Sequence, residues 1–390
     1  MSSLKLDRFT GINNVTPLQD QGKKDLHQAV NVDVTNDGRI RRRAGFELLD
    51  AGRFTHVFDA GAYVLASDAR GQLLARWPDA VHVIHKSLGG RVWCAVLPDG
   101  RVAFSNGLQH GLTDGRTATS WGVPMPDFAG TVIQIPGQLP AGKYLWSISH
   151  VRADGLESGL LPCTEPVELT RAGGLSFMGM PQEPGLRTRL YLSKANGEQL
   201  YAVGDVGEEP LQVTQHDSTV LPRTKDLQAP PAGILLASWN GRALVAVGDT
   251  LMASQPTMPE QFDWVRDFKR FEADITLVQP VSGGIYVGTR QALHFLEGNS
   301  FDQLLLRTPL RAGVALGSGV AVDGHHIRVG DGNASGECMV CIAGGHIVAG
   351  LGGGQLAHLS EKRYRTDCKE VSATFKVHKG MPQYLAQVLA

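Results

Sequence analysis

Three stretches in the second half of the chain share one plan: SWNGRALVAVGDTLMAS (238–254), PVSGGIYVGTRQALHFLEG (280–298) and AVDGHHIRVGDGNASGECMVC (321–341). Each reads as a turn, an alternating strand, a second turn and another strand. Their leading turn glycines, Gly241, Gly284 and Gly324, stand 43 and 40 residues apart, which is the period of a β-propeller blade. A strand pair of this size cannot bury its apolar face alone, so stacking neighbours radially is the natural solution. Two shorter units with the same build lie earlier, at DAGAYVLASDARGQLLARW (59–77) and GGRVWCAVLPDGRVAFSN (89–106). The expected architecture is therefore all-β, a propeller of four to six blades.

Between the two sets, the stretch 128–222 has another texture. TVIQI, KYLWSISHV, EPVELT, LSFMGM, RTRLYLS and QLYAVGDV follow one another at the spacing of about 8 to 12 residues that suits a seven-strand sandwich. This predicts an immunoglobulin- or fibronectin-III-like insert, with Pro222, Pro230 and Pro231 as the stiff return. The expected organisation is 1–127 for the N-terminal strands and first blades, 128–222 for the insert, and 223–390 for the remaining blades and a C-terminal arm.

Composition agrees with many short strands. The chain of 390 residues has 47 glycines and only 19% charged side chains, against usual shares of about 7% glycine and about 25% charged residues. A net charge of −1 argues against a free-standing basic nucleic-acid binder and against an acidic disordered tail. The five cysteines, Cys94, Cys163, Cys338, Cys341 and Cys368, are too few and scattered for a disulfide scaffold and are expected to be reduced. The opening MSSLKLDRFTGINN lacks the apolar core of a signal peptide, so the mature chain is expected to start at Met1 and to be soluble.

Local motifs for chemistry fail on inspection. GQLPAGKY (137–144) nearly spells a phosphate-binding loop, but Tyr144 replaces the metal-binding hydroxyl and the continuation alternates like a strand. Asp331, Asn333 and Ser335 match the front of an EF-hand loop, yet its twelfth position is Ile342 where a glutamate is needed. Cys338 and Cys341 lie within a strand pattern whose alternation sends the two sulfurs to opposite faces, and the adjacent His325 and His326 are expected to diverge likewise. With no GxSxG, HExxH or matched carboxylate pair, no catalytic, cofactor or metal site is assigned.

One dense charge cluster remains, Arg39, Arg41, Arg42 and Arg43, following AVNVDVT and a turn at Asn36, Asp37 and Gly38. The pattern predicts a hairpin with Val30, Val32 and Val34 on one face and Arg39, Arg41 and Arg43 along another. Such a guanidinium row suits phosphates or a neighbour's carboxylates, so it is the candidate DNA-facing or intersubunit site; a solvated strand edge is the competing reading. The segment from Glu361 onward, with Lys362, Arg363, Arg365, Lys369, Lys376 and Lys379, reads as a mildly basic arm for docking on a neighbour.

Three blocks resemble the tail nozzle, or tail tubular protein B-like, family of short-tailed bacteriophages. They are NVDVTNDGRIRRRAGF (31–46), AGKYLWSISHVRADGLESGLL (141–161) with RTRLYLSKANGEQLYAVGDV (187–206), and WNGRALVAVGDTLMASQPTMPEQFDW with FKRFEADITLVQPVSGGIYVGTRQALHFLEG (239–298). The resemblance implies a non-enzymatic structural virion protein, assembled in the bacterial host cytoplasm, that forms a homohexameric ring in the tail. It further implies portal and adaptor proteins above, needle, fibre or spike proteins beside or below, transient contact with exiting genomic DNA, and no membrane insertion. A near-neutral conduit fits sliding DNA, because each neutralised phosphate adds a salt-dependent binding contribution. Two other readings stay open. One is a carbohydrate-binding propeller or tail adhesin, in which Trp77, Trp93, Trp121 and Trp146 stack on host glycans; the other is a glycosidase with carboxylates far apart in sequence.

Overall fold

A computed structural model describes residues 8–35, 37–43, 45, 47–48, 50–162, 165–378 and 380–389. Among these the regular structure is β-strand apart from three single-turn 3-10 helices, and the strands form many small, mostly antiparallel sheets. Among the described residues no helix is long and apolar enough to cross a membrane. Asn36, Cys163 and Lys379 lie outside the described residues.

Five of the sheets are meanders in chain order. Sheet I comprises Phe54–Asp59, Val64–Asp68, Leu73–Arg76 and Val81–His85; sheet II comprises Trp93–Val96, Val102–Ser105, His110–Thr113 and Ala118–Thr119. Sheet III runs Ile234–Trp239, Arg242–Val247 and Thr250–Gln255, with Met258–Phe262 and Phe268–Arg270 both paired to its third strand. Sheet IV comprises Ile275–Val281, Gly284–Thr289, Leu293–Glu297 and Leu305–Leu310, and sheet V comprises Val320–Asp323, Glu337–Ala343, His346–Gly350 and Leu356–His358. The first strands of sheets II to V abut in succession.

Packing explains the order. Leu244, Ala246 and Leu251 on one face of sheet III meet Ile285, Val287 and Leu296 of sheet IV, while Ala243, Val245 and Met252 on its other face meet sheet II. Middle sheets buried on both sides need apolar residues at odd and even positions alike, which is why RALVAV and ALHFL run almost unbroken. The three repeat glycines all fall at the join of a first and second strand. Asn240 and Gly241 both take positive φ in a two-residue turn. Gly324 departs from that pattern: it opens the 3-10 turn Gly324–His326, where an added Cβ would lie 2.8 Å from the Ala334 carbonyl carbon.

Among the described residues, the strands of the stretch between sheets II and III pair only with one another, and an isolated bridge from Gln228 to Phe262 ties its end to sheet III. Thr131–Leu139, Gly173–Met178 and Leu211–Val213 form one sheet, Trp146–Arg152, Leu186–Ser193 and Leu200–Val206 a second, and Gly142–Tyr144 with Val167–Leu169 a short third. Their shared core contains Trp146, Ile148, Phe177, Leu190 and Val213.

At the C-terminus, Val371–His378 and Met381–Val388 form a two-stranded hairpin. The expected arm on a neighbour is instead packed within the chain. Its alternation puts Phe375 and Tyr384 against Val322, Cys338 and Val340 of sheet V, and Val371 against Ile342.

Candidate functional site

The arginine cluster folds as its alternation demands. Val32–Val34 pairs antiparallel with Ile40–Arg42, in the register Val32 to Arg42 and Val34 to Ile40. The Thr35 hydroxyl accepts from the Arg39 backbone N–H across the turn, and Gly38 has φ of 77°. Gly38 is also where the chain crosses itself: its carbonyl accepts from the Phe9 N–H at 2.6 Å, and a Cβ there would sit 2.6 Å from the Arg8 Cα. Arg39 pairs with Asp37 and Arg43 with Asp33. Arg41 and Arg42 are exposed and have no carboxylate partner among the described residues. Val32, Val34, Ile40 and Arg42 share one face, and Asp33 and Arg41 the other.

A second locus, invisible in the sequence, joins the insert to the five-sheet body. Glu260, on strand Met258–Phe262, is 6% exposed. Arg101 of sheet II donates to its Oε1 at 2.6 Å, Arg152 at the end of an insert strand donates to Oε2 at 2.9 Å and Oε1 at 3.2 Å, and the Gly122 N–H donates to Oε2 at 3.1 Å. Asp99 and Asp154 hold the outer sides of the two guanidinium groups. Burial disfavours the Glu260 carboxylate, but the hydrogen bonds from Arg152 and Arg101 outweigh it and keep its pKa below the usual range. The same carboxylate thus clamps sheet II, sheet III and the insert. Beside it, Trp121 donates its indole N–H to the Pro259 carbonyl at 2.8 Å.

A third locus is a central cavity of about 680 Å³, lined by the first strands of all five sheets and by the C-terminal hairpin. At its wall Arg91 donates to Glu370 at 2.8 Å and to the Val371 carbonyl at 2.9 Å, and its guanidinium lies 4.1 Å from the Trp93 ring centroid. The side chains of His56, Ser67 and Thr276 each leave a buried polar atom without a hydrogen-bond partner.

His56, His110 and His216 all have pKa values lowered by burial, with the Arg91 charge adding to the effect at His56 and Lys194 at His216. Each binds a proton more readily unfolded than folded, so stability should fall as pH drops below about 6.5. Scanning fluorimetry is expected to show the melting temperature declining from pH 7 to 5. A His110→Phe variant, which keeps a ring on the edge of Trp121, should flatten that slope; a constant or rising melting temperature would refute it.

The remaining motifs have structural explanations. Lys143 and Tyr144 lie in a strand, with the buried Tyr144 hydroxyl donating to the Pro140 carbonyl. Asp331 sits in the exposed turn between Val329 and Gly332, and Ile342 is buried in sheet V. Cys338 faces the C-terminal hairpin while Cys341 faces sheet IV, its thiol pushed up to about 12 by burial. The expected divergence of His325 and His326 is wrong: they occupy a 3-10 turn, not a strand, and their ring centroids are 3.6 Å apart. No group of His, Cys, Asp or Glu placed to hold a metal occurs among the described residues. Trp121 and Trp146 are buried, Trp77 stacks on Tyr63 and Trp93 lies under Arg91, so these four rings form no common stacking platform.

No family model matches the chain, and no curated protein matches it. Among solved structures it is similar to BBS1N in complex with ARL6DN, at 10% identity over 87% of this chain and 90% of that one, with a TM-score of 0.32. It is also similar to YCF48 from Cyanidioschyzon merolae, at 8% identity over 87% and 94% of the two chains, TM-score 0.32. A third is apo AztD from Citrobacter koseri, at 13% identity over 80% and 88%, TM-score 0.25. The architecture described here rests on the chain's own sheets.

Proposed function

We propose that the protein is a structural ring subunit of a short-tailed phage tail, the nozzle through which DNA leaves, with sheets I to V as propeller blades and the stretch 128–222 as a fibronectin-III-like insert. The observation that carries this reading is the contrast between a chain of net charge −1 and the local cluster Arg39, Arg41, Arg42 and Arg43, in which Arg41 and Arg42 are exposed and have no carboxylate partner among the described residues. A ring around moving DNA must not grip it, since a wall of Lys and Arg would add a binding contribution for every phosphate neutralised. The three sequence blocks that resemble the nozzle family support the same reading. The Glu260 clamp adds to it, because an insert on a load-bearing ring has to keep its angle to the body. The test is the position of the protein in purified virions, which must be on the tail axis.

A further inference from the structure

Polar groups that the fold leaves unused converge on the central cavity. His56 and Ser67 are cross-strand partners in sheet I, and strand alternation puts them on the same face as Leu65 and Leu73; all four line the cavity. Thr276, on the first strand of sheet IV, lines it too. Ser67 is 1% exposed and Thr276 6%, yet Ser67 Oγ, Thr276 Oγ1 and His56 Nδ1 have no hydrogen-bond partner. An unpaired buried polar atom is costly, so three around one cavity call for a partner that the cavity can admit. The charge on the walls has one sign. Among the described residues that line the cavity, Arg91 stands with no Lys, Asp or Glu beside it. Arg91 donates one N–H to Glu370 and one to the Val371 carbonyl, leaving further guanidinium N–H groups to give. Glu370 itself lines a separate cavity of about 400 Å³, to which Thr276 also contributes. Burial and then the Arg91 charge lower the His56 pKa, with Glu370 opposing, so the guanidinium lies within electrostatic reach of the imidazole.

We propose that the central cavity binds a small organic carboxylate with an apolar body. A carboxylate only accepts hydrogen bonds, and every unused atom here can donate: the two hydroxyls, the imidazole in its Nδ1–H tautomer, and the guanidinium, which adds charge. A cationic ligand would meet Arg91 with no acid on the wall to balance it. Inorganic phosphate would bring more charge than one guanidinium already shared with Glu370 can match, and it has nothing to place against the apolar wall of Phe54, Phe58, Leu235 and Val278. Water satisfies hydroxyls but gains nothing from that wall. The volume of about 680 Å³ falls within the roughly 300–1,000 Å³ of small-molecule sites. Entry is open, because Thr55, Ser372, Thr374 and Gln387 line the same cavity and are exposed. This site lies inside a single chain, so it goes beyond the tail reading and does not depend on it.

The test is equilibrium dialysis of the full-length chain against radiolabelled octanoate. Saturable uptake of one octanoate per chain is expected, with 1-octanol and octylammonium each competing about tenfold more weakly or worse. Uptake that does not saturate overturns the proposal, and so does 1-octanol competing as well as octanoate, since the cavity would then select an apolar body without its charge. The decisive variant is Ser67→Ala combined with Thr276→Val. It removes two hydroxyls that bond to nothing in the fold, so the ligand-free melting temperature should hold or rise, while the Kd for octanoate should rise about tenfold or more. An unchanged Kd would mean that octanoate binds elsewhere, and the proposal would fall. Arg91→Lys, which keeps the charge, should bind octanoate more tightly than Arg91→Met; equal affinity in these two would overturn the part assigned to the charge.

Discussion

Replacing Glu260 with Gln should destabilise the protein by about 3 kcal/mol, the lower end of the cost of breaking a buried ion pair. The lower end applies because Arg101 and Arg152 keep Asp99 and Asp154 as partners and remain partly open to water. Gln retains the shape but offers an amide N–H₂ where the structure supplies only donors, so two donors meet head on. The loss falls on three elements at once, since sheet II, sheet III and the insert converge on this carboxylate. Urea denaturation should show the loss, and limited proteolysis should show faster cleavage between 214 and 230, where the insert rejoins the body. Unchanged stability and cleavage would mean the clamp is ornamental.

Trp121→Ala is expected to cost more, about 4 kcal/mol, in the range for removing a fully buried large aromatic side chain. The ring is 2% exposed, lies edge-on to Phe262 with centroids 6.2 Å apart, and belongs to the core between sheets II and III. The substitution also leaves the Pro259 carbonyl without its donor, one residue from Glu260. Trp121→Phe restores most of the volume and should recover more than half of the loss, the rest reporting the hydrogen bond. Equal losses for both variants would show that the indole N–H, and not packing, holds the two sheets together.

What the sequence made legible follows its periodicity. Gly241 marks a real join of first and second strands, because a two-residue turn needs positive φ and the sequence must supply a residue that tolerates it; in the next sheet that role falls to Gly283, and Gly284, the residue the repeat singles out, is the first residue of the second strand. The opposite faces of Cys338 and Cys341 were legible for the same kind of reason, since strand alternation is local. His325 and His326 were not, because a local 3-10 turn replaced the strand on which the alternation argument depended. The Glu260 clamp was hidden for another reason: its partners are 159 and 108 residues away in sequence, and only the stacking of sheets brings them together. The Arg91 and Glu370 pair beside the cavity is more distant still. The arginine hairpin was legible in its register, though not in its attachment, which depends on the close approach of Phe9 to Gly38.

The most direct test of the central claim is averaged electron microscopy of purified virions, with this chain located by an appended density tag. A nozzle subunit should appear there as a six-fold ring on the head-to-tail axis, around the channel for DNA. Density confined to peripheral fibres, or particles that lack the chain altogether, would contradict it.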